Sequence, residues 1–313
     1  MANKLFVSPS PHVQSTQSTA SIMRDVVIAL LPALVVSVVV FGLNVLTVTA
    51  LSVASCVLFE YLIQKFVVKG ACTISNWSAV VTGVLLAFNL PATIPWWIVV
   101  IGAFVAIAVA KMTFGGLGKN PFNPALVGRV FLLIAYPVQM TSFPAVEGLD
   151  ALSGATPLAA VKFGTDAGQL PMTDLLLGNM PGSLGEIAAM ALLVGGIYLL
   201  WRKVITWHIP VAFIGTTFLF TLAVEGGNIE TTLAWVLSGG LILGACFMAT
   251  DYVTSPSTSK GKLIFGIGAG VITVLIRFWG VYPEGVSFAI LLMNIVNPYI
   301  DSATPRKIFG GKK

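Results

Sequence analysis

The chain has 313 residues, of which 57% are hydrophobic and only 9% are charged. A soluble globular domain carries roughly 25% charged residues, so this chain has too few to cover a soluble surface of its size. The composition therefore excludes a single soluble domain, and it excludes intrinsic disorder, which needs the opposite balance. It indicates a membrane protein that crosses the bilayer several times. The net charge of +5 does not indicate nucleic acid binding, because the basic residues fall on one side of the predicted membrane.

The cysteines and histidines give no sign of a redox centre held by this chain alone. Cys56, Cys72 and Cys246 are scattered and form no CxxC pair, which argues against an iron–sulfur cluster or a zinc site. Of the histidines His12 and His208, only His208 lies near a hydrophobic run, so a haem with two ligands from this chain is excluded. We therefore predict no metal site.

The predicted elements begin after a polar N-terminal segment, residues 1–25, which lacks the apolar core of a cleavable signal peptide. Apolar runs separated by short charged or Gly/Pro-rich loops then follow one another. Helices are the only plausible form for crossing the membrane, because lipid offers the backbone no hydrogen-bond partner. The runs lie at about 26–44, 45–63, 77–90, 94–110, 123–136, 186–201, 207–224, 231–249, 262–279 and 285–300.

Two of these runs are shorter than the about 20 residues that cross a hydrocarbon core of about 30 Å. The run 77–90 stops at Pro91, and the run 123–136 lies between Pro124 and Pro137. Short segments bounded by proline favour broken or tilted helices inside a bundle. A tilted helix with poorly defined ends is the alternative.

Basic residues set the predicted orientation, because cytoplasmic loops of membrane proteins are enriched in lysine and arginine. If the N-terminus is cytoplasmic and every run crosses, only Lys162 lies outside, while Arg129 and Arg277 fall within spans. Glu186 and Glu284 fall outside with most of the other acids. Both termini are then cytoplasmic. The basic residues on the cytoplasmic side are Lys4, Arg24, Lys65, Lys69, Lys111, Lys119, Arg202, Lys203, Lys260, Lys262, Arg306, Lys307, Lys312 and Lys313.

A weak internal repeat relates the two halves of the chain. Ser78–Pro91 resembles the segment that begins at Ser238, and Phe114–Val130 resembles Phe278–Leu292, at an offset of about 160 residues. Five helices in each half would make the halves inverted, as in transport folds with a site at the membrane midplane. Chance similarity between helices rich in Gly, Ala and Leu is the alternative. The predicted divisions are the polar N-terminus 1–25, a first five-helix repeat 26–136, an outer loop 137–185, a second repeat 186–301 and a basic tail 302–313.

The outer loop contains the sequence DALSGATPL at Asp150–Leu158. Gly154 permits a tight turn and Pro157 stiffens the segment after it, so the Thr156 hydroxyl is presented on a turn. On the residues alone a structural turn is the better interpretation, because no base stands beside this hydroxyl to make it a nucleophile.

This stretch resembles the D-x-x-S-G-A-T motif at which a flavin transferase esterifies FMN to threonine. It accompanies SPSPHV near the N-terminus, GGLGKNPFNPALVGRVFL at 115–132 and MATDYVTSP at 248–256. Together these motifs resemble the RnfD/NqrB family, membrane subunits of the ion-pumping Rnf and NADH:quinone oxidoreductase complexes. The resemblance covers nearly the whole chain, and the short polar N-terminus favours the RnfD branch. It implies an all-α integral membrane fold like that of the urea transporters, with about ten transmembrane helices in two inverted five-helix repeats.

The resemblance also implies cofactors, function and partners. Thr156 would carry FMN through a phosphoester bond, Ser153, Gly154 and Ala155 would belong to its attachment motif, and a second, non-covalent riboflavin would lie within the helices. The chain would pass electrons between flavins in a bacterial cytoplasmic membrane complex that couples ferredoxin:NAD⁺ oxidoreduction to Na⁺ or H⁺ translocation. It would not be active alone. The expected partners are the flavin transferase, an outward-facing subunit with covalent FMN, iron–sulfur membrane subunits and the lipid bilayer.

Polar residues in or beside the runs are further candidates for cofactor contacts. Asn120, Asn123 and Arg129 belong to the broken fifth run and the segment before it. A charge within a span is costly, so Arg129 either holds a flavin phosphate or ribityl oxygen or pairs with a carboxylate. Asp251 ends the eighth run, where it either lines an ion path or faces solvent. Arg277, near the outer end of the ninth run, is expected to extend towards the membrane interface.

The glycines of the ninth run, Gly266, Gly268 and Gly270, follow no strand, so close helix packing explains them better than a nucleotide fingerprint. Two other functions stay open at this point. One is the quinone-reducing NqrB type, for which the sequence reveals no quinone pocket. The other is a channel for a small polar solute on the same fold. The attachment motif discriminates against the channel, which has no need of it.

Overall fold

The computed structural model describes residues 17–69, 72–143, 156–163, 172–178, 180–187 and 189–306. Within these ranges the chain is helical and has no β-strand. Ser153, Gly154 and Ala155 of the expected attachment motif lie outside the described residues.

The helices follow the order of the predicted runs. The first half contains α1 (Thr19–Phe41), α2 (Asn44–Val68), α3 (Ser78–Phe88), α4 (Trp96–Met112) and α5 (Pro124–Ala135). The connection between the halves contains the short helices α6 (Pro137–Thr141), α7 (Pro157–Phe163) and α8 (Met172–Leu177). The second half contains α9 (Ala189–Trp201), α10 (His208–Val224), α11 (Ile229–Leu237), α12 (Leu241–Met248), α13 (Ser259–Trp279) and α14 (Val286–Ala303).

Length and composition separate these helices into two groups. Among the described residues, α1, α2, α13 and α14 are each long and apolar enough to cross a membrane, and α11 with α12 meets the same test as one bent pair. The other apolar helices, α3, α4, α5, α9 and α10, are shorter. The prediction of an all-α membrane protein is therefore confirmed, whereas a full crossing by each of the runs stays a prediction.

The two runs expected to be short are short. Helix α3 has 11 residues, which span about 16 Å, and α5 has 12. Asn123 caps α5, since its Oδ1 accepts hydrogen bonds from the N–H groups of Ala125 (3.1 Å) and Leu126 (3.4 Å), and Pro124 occupies the first helical position.

The structure differs from the predicted runs at two places. The run 231–249 is two helices, bent by 63° where Ser238, Gly239 and Gly240 connect them. Gly239 has a φ of +73°, which a helix cannot accommodate. Helix α1 begins at Thr19, inside the segment expected to be a polar tail, because Ser18 caps it by accepting a hydrogen bond from the Ser21 N–H at 3.2 Å.

Some pairs of packed helices in the first half have counterparts in the second half, while the ten-helix inverted repeat stays a prediction. Helix α2 packs on α4 as α10 packs on α13, α5 packs on α4 as α14 packs on α13, and the first helices of the halves, α1 and α9, pack on each other. Gly266 and Gly270 lie against α10, where an added Cβ would be 2.8 Å from Ala212 Cβ and 2.8 Å from Thr216 Cβ. Close helix packing is thus confirmed as the role of these glycines.

The segment 180–187 is buried, so part of the predicted outer loop lies in the core. The N–H groups of Leu184 and Gly185 donate to the carbonyls of Leu90 (3.1 Å) and Phe88 (2.7 Å), so the segment closes the C-terminal end of α3. Gly185 is required here, because a Cβ would lie 3.0 Å from the Phe88 carbonyl oxygen. The same segment carries Glu186, which is 3% exposed and does not lie outside with the other acids as expected.

Candidate functional site

Thr156 lies at the start of α7 and is buried, with 6% of its surface exposed. Its Oγ1 accepts a hydrogen bond from the Ala159 N–H at 3.2 Å, which is the usual contact of a threonine that caps a helix. The hydroxyl is therefore held in one place by α7, and it is not displayed on a free turn as the sequence predicts.

A cavity of about 220 Å³ lies beside Thr156. Its wall is mixed, since apolar and aromatic side chains alternate with a guanidinium, an amide, a carboxylate and hydroxyls. Arg129 borders this cavity, so the structure brings together two of the candidate residues from the sequence. The residues that decide its chemistry are Thr156, Arg129, Asn89, Ser183, Tyr282 and Glu284.

Arg129 is held by partners from four parts of the chain. Its Nη1 donates to Asn89 Oδ1 at 2.7 Å and to Ser287 Oγ at 2.9 Å. Its Nη2 donates to Glu186 Oε1 at 3.3 Å and to Glu284 Oε2. Of the two alternatives for this residue, pairing with a carboxylate is present, and the position on the cavity leaves contact with a cofactor open.

Sequence reasoning missed the two carboxylates of this site. Glu186 and Glu284 are 57 and 155 residues from Arg129 along the chain, and both fall in loops in which acidic residues are ordinary. The signal that was available is Arg129 itself, because a charge within a span needs a partner of opposite charge.

Arg277 does not extend to the membrane interface, so that expectation is wrong. Its side chain is fully buried, its Nη1 donates to the Trp235 carbonyl, and its Nη2 donates to the Ser238 carbonyl at 3.3 Å. Among the described residues its Nε has no hydrogen-bond partner. The break after α11 leaves carbonyl groups without helical partners, and the guanidinium supplies donors to them.

Asn120, Asn123 and Asp251 do not join Thr156 but border a second cavity of about 80 Å³. The Nδ2 of Asn120 donates to the Phe122 carbonyl at 3.0 Å, and its buried Oδ1 has no partner among the described residues. The Nδ2 of Asn123 donates to the Met248 carbonyl at 3.2 Å. Both asparagines therefore have a structural role, and the Oδ1 of Asn120 is available to accept a further hydrogen bond.

Asp251 also borders this second cavity, on the segment that follows α12. It is partly buried and accepts a hydrogen bond from Thr254 Oγ1 at 3.3 Å. Burial raises the pKa of its carboxyl group, against the hydrogen bonds that it accepts and the positive charge of Lys111, which lower it. The carboxyl is thus neither a plain solvated helix end nor fully enclosed.

The predicted orientation places Lys111 in a cytoplasmic loop, but Lys111 belongs to helix α4. It ends α4 in the interior, with its Nζ 2.6 Å from Glu60 Oε2 and 2.7 Å from Ser78 Oγ. The side chains of Lys111 and Glu60 are 2% and 1% exposed. The sequence held a signal for this pair, because Glu60 interrupts the apolar run 45–63 and requires a cation nearby.

Comparison with known proteins gives one family and a set of relatives. The model described as the NQR2, RnfD, RnfE family matches residues 6–310. The chain is 50% identical to the D subunit of the Na⁺-translocating ferredoxin:NAD⁺ oxidoreductase complex of Acetobacterium woodii, over 99% of this chain and 96% of that protein. It is 43% identical to the D subunit of the proton-translocating ferredoxin:NAD⁺ oxidoreductase complex of Clostridium ljungdahlii, over 99% and 98%. The D subunit of an ion-translocating oxidoreductase complex of Escherichia coli is 37% identical over 98% and 99%.

Proposed function

This chain belongs to the NQR2, RnfD, RnfE family, and we propose on that premise that it is the D subunit of an ion-translocating ferredoxin:NAD⁺ oxidoreductase complex. Two relatives that are 50% and 43% identical over nearly their whole length carry that activity in their names. Those names favour the ferredoxin-linked type over the quinone-reducing type. Because one of the two is named for Na⁺ and the other for protons, the coupling ion of this chain stays open.

We propose further that Thr156 carries FMN as a phosphoester and that the flavin occupies the adjoining cavity. The observation that carries this proposal is the position of the Thr156 hydroxyl on a cavity that Arg129 also borders. The wall suits a flavin, because Tyr282 offers a planar surface, Asn89 and Ser183 offer polar groups, and the guanidinium offers a positive charge for an anion. When bound, this cofactor supplies the ability to accept and donate electrons.

The residues of this chain would position the group and shield it from water. The α7 helix fixes the attachment atom through the Ala159 N–H. Arg129, held by Asn89 and Ser287, places a cation on the cavity without freedom to move away. Because Glu186 and Glu284 already pair with Arg129, an anionic group of the cofactor would compete with a carboxylate for this guanidinium.

The proposal includes a membrane arrangement and a second flavin. The apolar helices α1–α5 and α9–α14 would make about ten crossings of a bacterial cytoplasmic membrane, with both termini cytoplasmic and Thr156 on the outer side. Asn120, Asn123 and Asp251, which border the second cavity, would be contacts of the non-covalent riboflavin. Partner subunits with iron–sulfur clusters would carry electrons between the two faces of the membrane.

The mass of the purified subunit tests the attachment. The wild-type chain, expressed with a flavin transferase, is expected to exceed its sequence mass by one esterified FMN and to fluoresce after denaturation. Thr156→Ala should lose both signals, whereas Thr156→Ser keeps a hydroxyl and should keep at least part of them. An unmodified wild-type chain made beside an active transferase would refute the proposal.

A further inference from the structure

The two carboxylates that pair with Arg129 differ in their surroundings. Glu186 belongs to the buried segment 180–187, its side chain is 3% exposed, and its Oε2 also accepts a hydrogen bond from the Ser183 N–H at 3.3 Å. The Glu284 side chain is 16% exposed and lies in the loop between α13 and α14. Of the two, Glu284 borders the cavity beside Thr156 and Glu186 does not. Glu284 is therefore the carboxylate that a ligand in the cavity would meet.

A second guanidinium, that of Arg277, lies near Glu186. Both groups border the connection between α11 and α12. An added Cβ would lie 3.1 Å from Arg277 Nη2 at Gly239, whereas at Gly240 it would lie 3.6 Å from Arg129 Nη1 and 3.8 Å from Glu186 Oε1. Glu186 thus pairs with Arg129 and lies near a second guanidinium, and Glu284 completes a cluster of two positive and two negative side chains.

An anion that enters the cavity would give this cluster an excess of negative charge. One carboxylate must then lose its contact with Arg129, because a buried charge without a partner costs several kcal/mol. Glu284 is the one that can return to water with little loss, since it is the more exposed and Arg129 is its single ion-pair partner among the described residues. Glu186 would instead have to leave the buried segment 180–187, where its side chain is only 3% exposed.

We propose that Glu284 is the exchangeable counter-ion of Arg129, which the negative charge of the cofactor on Thr156 displaces while Glu186 stays in place. This inference rests on the proposed attachment of FMN. The anion is either the ester phosphate or the charge that the ring acquires when it takes one electron from a neighbouring carrier of the complex. In both cases Glu284 opposes the anion, and its removal favours the anion.

The loop that carries Glu284 is tied to the helix that carries Thr156. Lys162 of α7 donates from its Nζ to the Gly280 carbonyl at 2.6 Å and to the Tyr282 carbonyl at 3.0 Å. The exchange therefore needs only a rotation of the Glu284 side chain and no separation of the loop from α7. Arg129 pairs with Glu284, Glu186 shares the same guanidinium nitrogen, and Lys162 is bonded to the loop that carries Glu284.

The test uses the full-length subunit purified with its attached flavin, and it compares Glu284→Gln with two controls. Glu284→Asp keeps the charge at the site, and Glu230→Gln removes an exposed carboxylate at the start of α11, away from Arg129. If the ring charge is the anion, Glu284→Gln should favour the reduced flavin about tenfold, which corresponds to a midpoint potential about 59 mV higher for one electron. Both controls should stay close to the wild-type potential.

A second arm tests the phosphate with protein made without the transferase and titrated with FMN or riboflavin. If the phosphate is the anion, Glu284→Gln should bind FMN about tenfold more tightly and leave riboflavin binding unchanged. A variant that shows neither the potential shift nor the FMN effect overturns the proposal, provided that it accumulates normally. Failure of the attachment itself is distinguishable, because it appears in the mass of the wild-type chain.

Discussion

Lys111 and Glu60 form an ion pair in the protein interior, and both side chains are almost fully buried. Replacing Glu60 with Ala leaves the Lys111 ammonium without its counter-ion, and breaking a buried pair in this way costs about 3–5 kcal/mol. We therefore expect Glu60→Ala to lower the thermal unfolding temperature of the detergent-purified protein strongly.

The double variant Glu60→Gln with Lys111→Met serves as the comparison for that prediction. It removes both charges and preserves volume, so it should be less damaging than Glu60→Ala alone. Intrinsic tryptophan fluorescence during heating gives the unfolding temperature of both variants. Equal losses in the single and double variants would contradict the interpretation of Lys111–Glu60 as a charge pair that requires both members.

Single residues were predictable from the sequence to the extent that their chemistry is unusual where they occur. Arg129 and Thr156 stood out, the first as a charge in an apolar run and the second through its motif. The partners Glu186 and Glu284 did not, because an acidic residue in a loop has many possible surroundings. Arg277 was misjudged because an arginine near the end of a straight helix usually reaches the interface. Its actual position depends on the break in a different helix.

At the scale of elements, the connection between α11 and α12 controls where Arg277 lies. Gly239→Ala places a Cβ on a backbone with φ +73°, at 2.9 Å from Leu158 Cδ2 and 3.1 Å from Arg277 Nη2. The backbone strain alone is of the order of 1–3 kcal/mol. We expect this substitution to destabilise the protein and to reduce the amount of flavin attached at Thr156, because Leu158 belongs to α7.

Gly215→Ala is the matched control for that substitution. Gly215 lies within α10, an added Cβ there meets nothing within 4 Å, and alanine is favoured over glycine in a helix by about 1 kcal/mol. The unfolding temperature and the mass of the subunit should therefore be unchanged or slightly improved. If both variants lose flavin equally, the effect of Gly239→Ala is not specific to the break.

Helix positions were predicted well where proline marks them and poorly where glycine does. Pro91 follows the end of α3, and Pro124 begins α5. Proline marks such boundaries because it has no N–H to donate to the preceding turn of a helix. The Ser238–Gly240 segment interrupts a helix as strongly as proline does. Small residues barely change mean hydropathy, so the sequence predicts 231–249 as one continuous run. The burial of residues 180–187 could not be predicted for another reason, because it depends on the free carbonyls at the end of α3.

For the whole molecule, the predicted orientation uses the asymmetry of lysine and arginine, and the burial of Lys111 removes one member of the cytoplasmic set. The asymmetry remains, because the other members that the structure describes lie in loops or near helix ends. The orientation predicts that the loop after α13, with Val281 exposed to 85%, lies outside, and that Ser302 at the end of α14 lies inside. Labelling at these two positions therefore tests the predicted orientation of the chain.

Cysteines introduced at these two positions report the orientation in cells. Cys72 is exposed and must be replaced with serine first, whereas Cys56 and Cys246 are buried. An impermeant thiol reagent added to cells with a permeable outer layer should label Val281→Cys and spare Ser302→Cys, and inverted vesicles should give the reverse. Since α14 separates the two positions, labelling of both from the same side would mean that this helix does not cross. Labelling in the opposite sense would place Thr156 and its cavity on the cytoplasmic face. The orientation predicted from lysine and arginine would then be wrong.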